Sequence, residues 1–347
     1  MEPSRAERSK DGPPFPAALD DSFTHGLLVK LDKVMRARHY SPKTLKAYSH
    51  WVVRYFEFHT KTHPRFLREP AVNSFLTHLA VDRKVAAPTQ NQALAALLFL
   101  YRYVIGEPLD RVEGVVRARR SKRVPVVFSP EEARAVLGLL EGVPKLVCML
   151  LYGAGPRLVE GLSVRVKDVD FDRRELTIRD GKGGNDRVTM LPDALRDSLR
   201  EHLRQMKRQH LDDLQRGLGR VPMPTALERK YINADRGWPW QWVFPASSHY
   251  RDKETGIRHR HHLHESVIQK AVKVAIIEAG ITKHASVHTF RHSFGTHLLA
   301  NHYDIRTVQE LMGHKSVRTT QIYTHVLNRG GLGVRSPLDH GEAEGGR

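Results

Sequence analysis

The spacing of apolar residues predicts helices in the first part of the chain. Apolar positions recur at intervals of three and four in four stretches, residues 27–39, 42–59, 70–82 and 89–104. This interval places the apolar side chains on one face of an α-helix. The second stretch begins with Ser41 and Pro42, a capping residue followed by proline at the first helical position. We therefore expect a helical domain at the start of the chain.

After residue 125 the pattern is mixed. Ser129, Pro130, Glu131 and Glu132 form a helix start, with a cap, a proline and acidic residues in the first turn. Short alternating stretches predict an antiparallel sheet at residues 169–171, 175–179 and 187–191. Helical spacing returns at residues 145–155, 157–164, 191–217, 265–280 and 287–299. The predicted fold class is mainly α with a small antiparallel β-sheet.

Composition favours a polyanionic partner. The 347 residues carry a net charge of +18, and no apolar run approaches the length of a membrane span. The N-terminus lacks the apolar core of a signal peptide. The single cysteine, Cys148, lies in an apolar run, which indicates a buried thiol and no intramolecular disulfide. We expect a cytoplasmic protein that binds nucleic acid and not a membrane.

A basic run separates the two patterns. Five cations stand within seven residues: Arg117, Arg119, Arg120, Lys122 and Arg123. Such a run repels itself too strongly to form a core element, so it predicts an interdomain linker lying along the sugar–phosphate backbone. A nuclear-import signal is the alternative interpretation. Each phosphate that these cations neutralise releases a counterion, so DNA binding should weaken steeply with salt.

Residues 284–326 hold the strongest candidate chemistry. His288 and Arg291 are three residues apart and share one helix face, and His314 and Tyr323 follow. A helix end at Met312 and Gly313 would place His314 at a junction. Ser316 is expected to cap the next helix, which would carry Tyr323 with Ile322 and Val326 facing inward. Arginine suits a phosphodiester because guanidinium is planar, permanently charged and bidentate, and a tyrosine hydroxyl can form a covalent intermediate. Upstream, Arg157 is expected at a helix N-terminus, a place suited to anions. A lone tyrosine is more often packed, and a lone His-x-x-Arg is usually a solvated face.

Several motifs resemble those of a known family. HTFRHSFGTHLL, ELMGH and TTQIYTHV are similar to the signature of the tyrosine recombinases, the family of phage integrases. The stretch LLYGAGPRLVEGLSVRVKDVDF and an insert before HTFRH resemble the integron integrases. The resemblance covers about residues 22–330. It implies a two-domain architecture that clamps DNA.

The resemblance also implies domain bounds. These are a disordered tail (1–21), a helical SAM-like core-binding domain (22–116), the basic linker (117–124), a catalytic domain (125–330) with the insert near residues 221–250, and a C-terminal tail (331–347). In the core-binding domain, Lys43 is a candidate phosphate contact.

The same resemblance assigns roles in catalysis. Arg157 and Arg291 would clamp the scissile phosphate, with His288 and His314 adding hydrogen bonds. Lys182, in the hairpin turn GKGGNDR, matches the family's catalytic lysine and would protonate the leaving 5′-oxygen; taken alone it is a turn residue. Tyr323 would form a 3′-phosphotyrosine. Glu160 matches the acidic residue that commonly follows the first arginine in the family, and it would orient that site. No metal, nucleotide or other cofactor is expected, and ATP is not needed.

The insert, residues 221–263, contains Trp238, Trp240 and Trp242. In integron integrases such an insert contacts extrahelical bases of a folded single-stranded site, and aromatic faces suit this role because they stack on any base. The alternative is that the tryptophans fill a core, and we expect this for Trp242. The candidate base contacts are Trp238, His249 and Tyr250. The histidines at 259–264 match no zinc spacing and predict a basic turn that faces DNA.

The sequence therefore predicts a site-specific recombinase that integrates and excises gene cassettes at integron sites. We expect it to act as a homotetramer on double-stranded and folded single-stranded DNA. One alternative is a type IB topoisomerase, which shares the catalytic groups. Another is a basic protein that holds folded DNA without cutting it, which the departure from the family pattern at Pro156 would allow.

Overall fold

The computed structural model describes residues 21–60, 62–109, 125–179, 186–224, 227, 230–253 and 255–323. The chain divides into two compact units, Met1–Arg123 and Val124–Arg347, each with its own hydrophobic core. Helices dominate the described residues, and the strands form two small antiparallel sheets. The predicted fold class is confirmed. Within these ranges, no helix combines the length and the apolar character needed to cross a membrane.

Four α-helices form the described part of the first unit, as the apolar spacing predicts. They are α1 (Asp21–Ala37), α2 (Pro42–Phe58), α3 (Glu69–Val81) and α4 (Ala87–Phe99), which continues into the π-helical turn Leu100–Ile105. Ser41 caps α2, because its side chain accepts a hydrogen bond from the Thr44 amide. Lys43 is exposed in the first turn of α2.

Aromatic side chains fill the core of this unit. Trp51, Tyr55 and Phe56 of α2 are buried, and Tyr55 makes edge contacts with Phe75 and Tyr101. The hydroxyl groups of Tyr55 and Tyr101 are 3.2 Å apart, so these buried polar atoms have partners. Each fully buried side chain of this size stabilises the fold by about 1.5–3 kcal/mol.

The second unit begins with α5 (Pro130–Leu139), whose first turn has the capping box that the sequence predicts at Ser129 and Glu132. The described elements that follow are α6 (Gly142–Ala154), α7 (Leu158–Leu162), β1 (Val169–Asp170), β2 (Glu175–Ile178), β3 (Arg187–Met190), α8 (Asp193–Gln215), β4 (Pro245–Arg251), β5 (Arg258–His262), α9 (Glu265–Glu278), α10 (Val287–Ala300), α11 (Ile305–Met312) and α12 (Val317–Thr320).

Helix α6 is the centre of the second core. It packs against α5, α7, α8, α9 and α10, and its apolar run explains why it can be covered on nearly every side. Cys148 is buried there, as predicted, and burial raises the pKa of its thiol to about 12. Gly155 ends α6 at φ 69°, and a β-carbon at this position would overlap the ring of Phe294. The chain can therefore approach α10 closely at this point.

The three-stranded sheet has the order β1-β2-β3, and both pairings are antiparallel. Leu176 and Ile178 of β2 point into the core. Ile178 pairs with Arg187, so β2 and β3 form the hairpin that the sequence predicts. This hairpin presents Arg187 to the end of α11, where its Nε donates to the Leu311 carbonyl at 3.0 Å.

Strands β4 and β5 form a separate antiparallel hairpin within the insert. Trp242, just before β4, is buried, and its indole N–H donates to the Arg260 carbonyl at 3.1 Å. The Arg165 guanidinium lies 3.9 Å above the Trp242 ring. The interpretation of Trp242 as a core residue is confirmed.

Candidate active site

Arg157 occupies the position that the sequence predicts, at the start of a helix. It is the N-cap of α7 and follows the turn made by Gly155 and the buried Pro156. Its amide and its Nη1 both donate to the Glu160 carboxylate, at 2.9 and 2.5 Å. Glycine accommodates the left-handed conformation before proline, so Pro156 fits this turn.

The Glu160 carboxylate is surrounded by three arginines, Arg157 and the two that follow. Arg187 donates to it at 2.6 Å, and Arg291 Nη1 lies 4.0 Å from its Oε2. Burial alone would raise the pKa of this carboxyl, but the hydrogen bonds from Arg187 and Arg157 lower its pKa to about 2. Three guanidinium groups and one carboxylate give the cluster a net charge of +2 (3 − 1), which favours an anion.

Arg291 lies on α10 and is almost fully buried. Its Nη1 donates to the Gly155 carbonyl, and its Nη2 donates to the Met312 carbonyl at 2.6 Å and contacts His314 Nε2 at 3.1 Å. Burial and the neighbouring Arg157 charge lower the pKa of Arg291 to about 10, so it stays charged at neutral pH.

His314 stands at the junction after α11, where Gly313 ends the helix at φ 63°, as predicted. A guanidinium group only donates, so His314 Nε2 accepts from Arg291 and the ring proton is on Nδ1. Nδ1 then donates to Thr320 Oγ1 at 3.0 Å. Burial, and next the charge of Arg291, lower the pKa of His314 to about 4. His314 is therefore neutral at pH 7.

Tyr323 lies in a 3₁₀ turn, Gln321–Tyr323, and is 1% exposed. Its ring is stacked on His314, with ring centroids 6.2 Å apart, and belongs to a small core with Phe294 and Met312. Its hydroxyl lies 2.9 Å from Nδ1 of His292. Burial raises the pKa of the phenol, and the charges of Arg291 and Arg157 act in the opposite direction.

One predicted detail near Tyr323 is wrong. Ser316 caps α12, as expected, but the helix ends at Thr320 and the chain continues in the 3₁₀ turn. Ile322, expected to face inward, is 38% exposed, and Val326 lies outside the described residues. The described structure therefore buries the tyrosine itself instead of its neighbour.

The structure brings four of the predicted catalytic residues together, namely Arg157, Arg291, His314 and Tyr323. His288 is on the exposed side at the start of α10, where partial burial and the Arg291 charge lower its pKa. Lys182 lies outside the described residues, although the strands of its hairpin are described.

Two further residues of this group are absent from the predicted catalytic set. Arg187 had no signal beyond being a cation in a short strand. His292 follows Arg291 directly in HTFRH, and its spacing of four from His288 places these two histidines on one side of the helix.

The candidate DNA contacts lie in different surroundings. Trp238 is half-buried against the second core, and His249 is half-buried with its Nε2 3.6 Å from Asp213. Tyr250 is 40% exposed. The five cations of the basic run lie outside the described residues: Arg117, Arg119, Arg120, Lys122 and Arg123. All of these assignments stay predictions.

The expected basic turn at residues 259–264 is wrong for most of its length. Residues 259–262 belong to β5, and His259 is buried. The rings of His261 and His262 lie beside Trp242, with His262 half-buried and His261 still exposed. Burial lowers the pKa of both of these packed imidazoles, so they are neutral at pH 7. Among the described residues, no three His, Cys, Asp or Glu side chains are grouped to hold a metal.

Comparison with known proteins gives matches over both units. Residues 128–329 match the phage integrase family, and residues 27–111 match the phage integrase N-terminal SAM-like domain. An integrase/recombinase of Escherichia coli is 49% identical over 313 residues, which cover 90% of this chain and 93% of that protein. Tyrosine recombinase XerD of Agrobacterium fabrum is 31% identical, covering 86% of this chain and 88% of that protein.

The fold is also similar to a solved structure of a lambda integrase tetramer bound to a Holliday junction. The TM-score is 0.61 at 14% identity, with 90% of this chain and 80% of that chain covered. The fold and the family matches define an enzyme that cuts and rejoins DNA at specific sites. The chain belongs to the phage integrase family, the tyrosine recombinases. The two-domain recombinase architecture and the resemblance to this family are confirmed.

Proposed function

We propose that this recombinase integrates and excises gene cassettes at integron sites, including sites made of a folded single strand. Its catalytic centre comprises Arg157, Lys182, His288, Arg291, His314 and Tyr323. The observation that carries this assignment is a continuous set of contacts among residues from four elements. Arg157 and Arg291 lie against the Glu160 carboxylate, Arg291 contacts His314, and the His314 ring is stacked on Tyr323. Acting on DNA, the enzyme works in the cytoplasm.

Binding of the scissile phosphate uses the excess charge of the arginine cluster. Arg157 and Arg291 donate to the non-bridging oxygens, and each guanidinium has five donors, so Arg291 can keep its carbonyl contacts while it binds phosphate. Glu160 holds Arg157 at a fixed angle. Because these donors are already oriented, they stabilise the charge that develops in the five-coordinate transition state without reorganising.

The Tyr323 hydroxyl then cleaves the DNA strand. Tyr323 Oη attacks the phosphorus, the bond to the 5′-oxygen breaks, and Lys182 gives a proton to this leaving oxygen. The 3′-phosphotyrosine keeps the energy of the phosphodiester bond. A 5′-hydroxyl from the partner site reverses the step, which is why neither ATP nor another cofactor is used.

A nicked suicide substrate tests the assignment of the nucleophile. Wild-type protein should accumulate a covalent adduct with DNA, and Tyr323→Phe should abolish it. Tyr152→Phe is a matched control, because Tyr152 is a half-buried tyrosine that also bonds a histidine of α10, His297, at 2.9 Å. An adduct at full yield with Tyr323→Phe would show that the assignment is wrong.

The insert supports the folded single strand as a substrate. It exposes Tyr231 and Tyr250, which are 46% and 40% exposed. Aromatic side chains at a DNA-binding surface can stack on bases that leave the duplex, which is worth about 1–3 kcal/mol per base. Trp238 and His249 are half-buried in the same region and remain candidates after local rearrangement.

A strand-transfer assay compares a double-stranded site with each folded single strand. Tyr250→Ala and Tyr231→Ala should each slow transfer of the folded strand about tenfold, as expected from the loss of one stacked base. The double-stranded site should react at the wild-type rate. Tyr303→Ala is the control, because Tyr303 is 55% exposed but lies between α10 and α11. Equal losses on both substrates would remove the support for a folded site.

The assembly is proposed to be a homotetramer that joins two DNA sites. The solved lambda integrase complex is a tetramer, and the shared fold supports the same assembly here. Measuring the mass of the Tyr323→Phe protein on two sites tests this, with four protomers expected for each pair. A particle of two protomers holding both sites would contradict it.

A further inference from the structure

His292 contacts the atom that performs the attack. Its Nδ1 is 2.9 Å from the Tyr323 hydroxyl, and the two rings are 5.7 Å apart. Both side chains are shielded from solvent, Tyr323 almost completely. A phenol that attacks phosphorus must lose its proton, and a shielded phenol can pass it only to a group within reach.

The other polar groups of the site are engaged elsewhere. Glu160 is held by Arg157 and Arg187, and its pKa of about 2 makes it a poor proton acceptor. His314 presents its ring face to Tyr323, and its two nitrogens are bonded to Arg291 and to Thr320. His292 is the neighbour that meets the phenol oxygen edge-on with a ring nitrogen.

We infer that His292 is the general base of this recombinase: it takes the proton of Tyr323 during attack and returns it when the phenol leaves. The inference rests on the proposed role of Tyr323 as the nucleophile. It adds a catalytic residue that acts on the attacking phenol, whereas Lys182 acts on the leaving 5′-oxygen.

Protons and bonds balance in both directions. During cleavage the Tyr323 O–H bond breaks, its proton binds His292 Nδ1, the P–Oη bond forms and the P–O5′ bond breaks. Lys182 gives a proton to the 5′-oxygen. During rejoining the incoming 5′-hydroxyl gives its proton to Lys182, the P–O5′ bond forms, the P–Oη bond breaks, and His292 returns its proton to the phenolate.

The surroundings keep His292 ready to accept. Burial, followed by the nearby His288 and the Arg291 charge, lowers its pKa to about 4, so the ring is neutral and its Nδ1 can accept from the phenol. His314 and Tyr323 face it from the other elements of the site. An arriving phosphate offsets the Arg291 charge, which makes His292 a stronger base once DNA is bound.

His292→Asn separates proton transfer from positioning. The Asn side-chain oxygen can take the place of Nδ1 and accept the phenol's hydrogen bond, but it cannot take the proton. We expect the variant to form the adduct about a hundredfold more slowly at pH 7, within the usual contribution of a general base. His297→Asn is the control. His297 is on the same helix as His292, and its Nδ1 also lies 2.9 Å from a tyrosine hydroxyl, that of Tyr152 on α6.

The pH dependence is the decisive readout. Wild-type single-turnover rates should be flat between pH 6 and 8, since His292 is neutral throughout that range. With His292→Asn the proton must go to solvent, so the rate should rise about tenfold per pH unit. This slope is a ratio within one variant, so it decides the question even if the substitution weakens the fold.

A second substrate separates the two ends of the reaction. A 5′-bridging sulfur gives a thiolate leaving group that needs no proton, so it should restore a Lys182→Ala variant and leave His292→Asn slow. Full recovery of His292→Asn, or a normal rate with a flat profile on ordinary DNA, would overturn the inference. Absence of any adduct through Tyr323 would instead overturn the proposed function, before His292 is in question.

Discussion

Glu160 lies at the centre of the proposed phosphate site. Arg157, Arg187 and Arg291 carry like charges that repel one another, and the carboxylate holds them within a few ångströms. The carboxylate is itself buried, so its charge is compensated by hydrogen bonds and not by water. The cluster keeps a net positive charge of +2, which would favour binding of a phosphate.

Removing the Glu160 charge should therefore affect both stability and catalysis. Glu160→Gln keeps the size of the side chain but leaves buried guanidinium groups without a counter-charge, which costs about 3 kcal/mol. We expect the free energy of unfolding in urea to fall by that amount and adduct formation to slow at least tenfold, about the effect of losing an orienting contact.

Glu201→Gln is the control for this change, because Glu201 pairs with Arg204 on the exposed face of α8. Its unfolding curve should match the wild type. If Glu160→Gln unfolds at the wild-type urea concentration, the arginine cluster does not depend on the carboxylate.

Gly295 packs closely against Tyr323, the proposed nucleophile. A β-carbon there would lie 3.3 Å from Tyr323 Cε2 and 2.7 Å from Met312 Sδ. The flexible Met312 end can move away, but the Tyr323 ring must shift by a few tenths of an ångström. Gly295→Ala should thus slow adduct formation by about tenfold, since small misplacements of a reacting atom are costly, with DNA affinity unchanged.

Gly138→Ala provides the comparison, because a β-carbon at this position of α5 meets nothing within 4 Å. It should leave the rate unchanged and stabilise the helix slightly, by up to about 1 kcal/mol. A wild-type rate for Gly295→Ala would show that the tyrosine is not held by this contact.

At the same scale, sequence reasoning predicted residue types better than contacts. Arg157, His288 and Arg291 stand out because their order and spacing carry a chemical meaning. His292 and Arg187 did not, because their partners are distant in sequence: Tyr323 is 31 residues from His292, and Leu311 is 124 residues from Arg187. Only the packing of α10 against the 3₁₀ turn, and of β3 against α11, creates these contacts.

At the scale of elements, the prediction of helices was sound and their ends were less so. The error at Ile322 has a geometric cause. Thr320 at the end of α12 is fully buried, and Tyr323, three residues later, returns to the same face whether a turn has 3.6 or 3.0 residues. Ile322, two residues after Thr320, faces away from the core. The prediction followed the apolar residues and did not use the face that Thr320 occupies.

Strand β3 should hold α7 and the end of α11 together through Arg187. Arg187 bonds Glu160 of α7 and the Leu311 carbonyl at the end of α11, using separate nitrogens of one fork. Lysine has the charge but not the fork, so Arg187→Lys can keep one contact at most. We expect a loss of about 1–3 kcal/mol in the free energy of unfolding, the cost of a buried group without its partner, and a slower cleavage rate.

Arg173→Lys tests whether this loss is specific, because Arg173 pairs with Glu175 of the same sheet at an exposed position. Its unfolding and cleavage should be unchanged. Equal behaviour of the two variants would mean that β3 is not coupled to α7 and α11 through Arg187.

At the scale of the whole molecule, the many histidines of the chain should make its stability depend on pH. The described second unit contains nine histidines whose pKa is lowered, and burial is the largest cause for each: His202, His210, His249, His261, His262, His288, His292, His297 and His314. In the described first unit, burial also lowers the pKa of His59. The sequence supplies the residues, but only the packing makes them neutral.

The second unit should therefore lose stability as the pH falls. An unfolded imidazole binds a proton near pH 6.5, whereas His292 and His314 in the folded chain do so only near pH 4. Between these values the unfolded state binds more protons, so stability present above pH 6.5 is lost as the pH falls toward 4. After allowance for partial solvent screening, these two groups alone should cost about 2 kcal/mol between pH 7.5 and 5.

Tryptophan fluorescence can assign this loss to one unit. Trp51 reports on the first unit, and Trp238, Trp240 and Trp242 report on the second. In a Trp51→Phe variant, the urea midpoint of the remaining signal should be lower at pH 5 than at pH 7.5. Glu160 keeps its charge at pH 5, since its pKa is about 2, so the arginine cluster stays paired and the decline reports the histidines. A midpoint independent of pH would mean that these imidazoles are solvated in the folded protein, and His292 could then exchange its proton with water instead of with Tyr323.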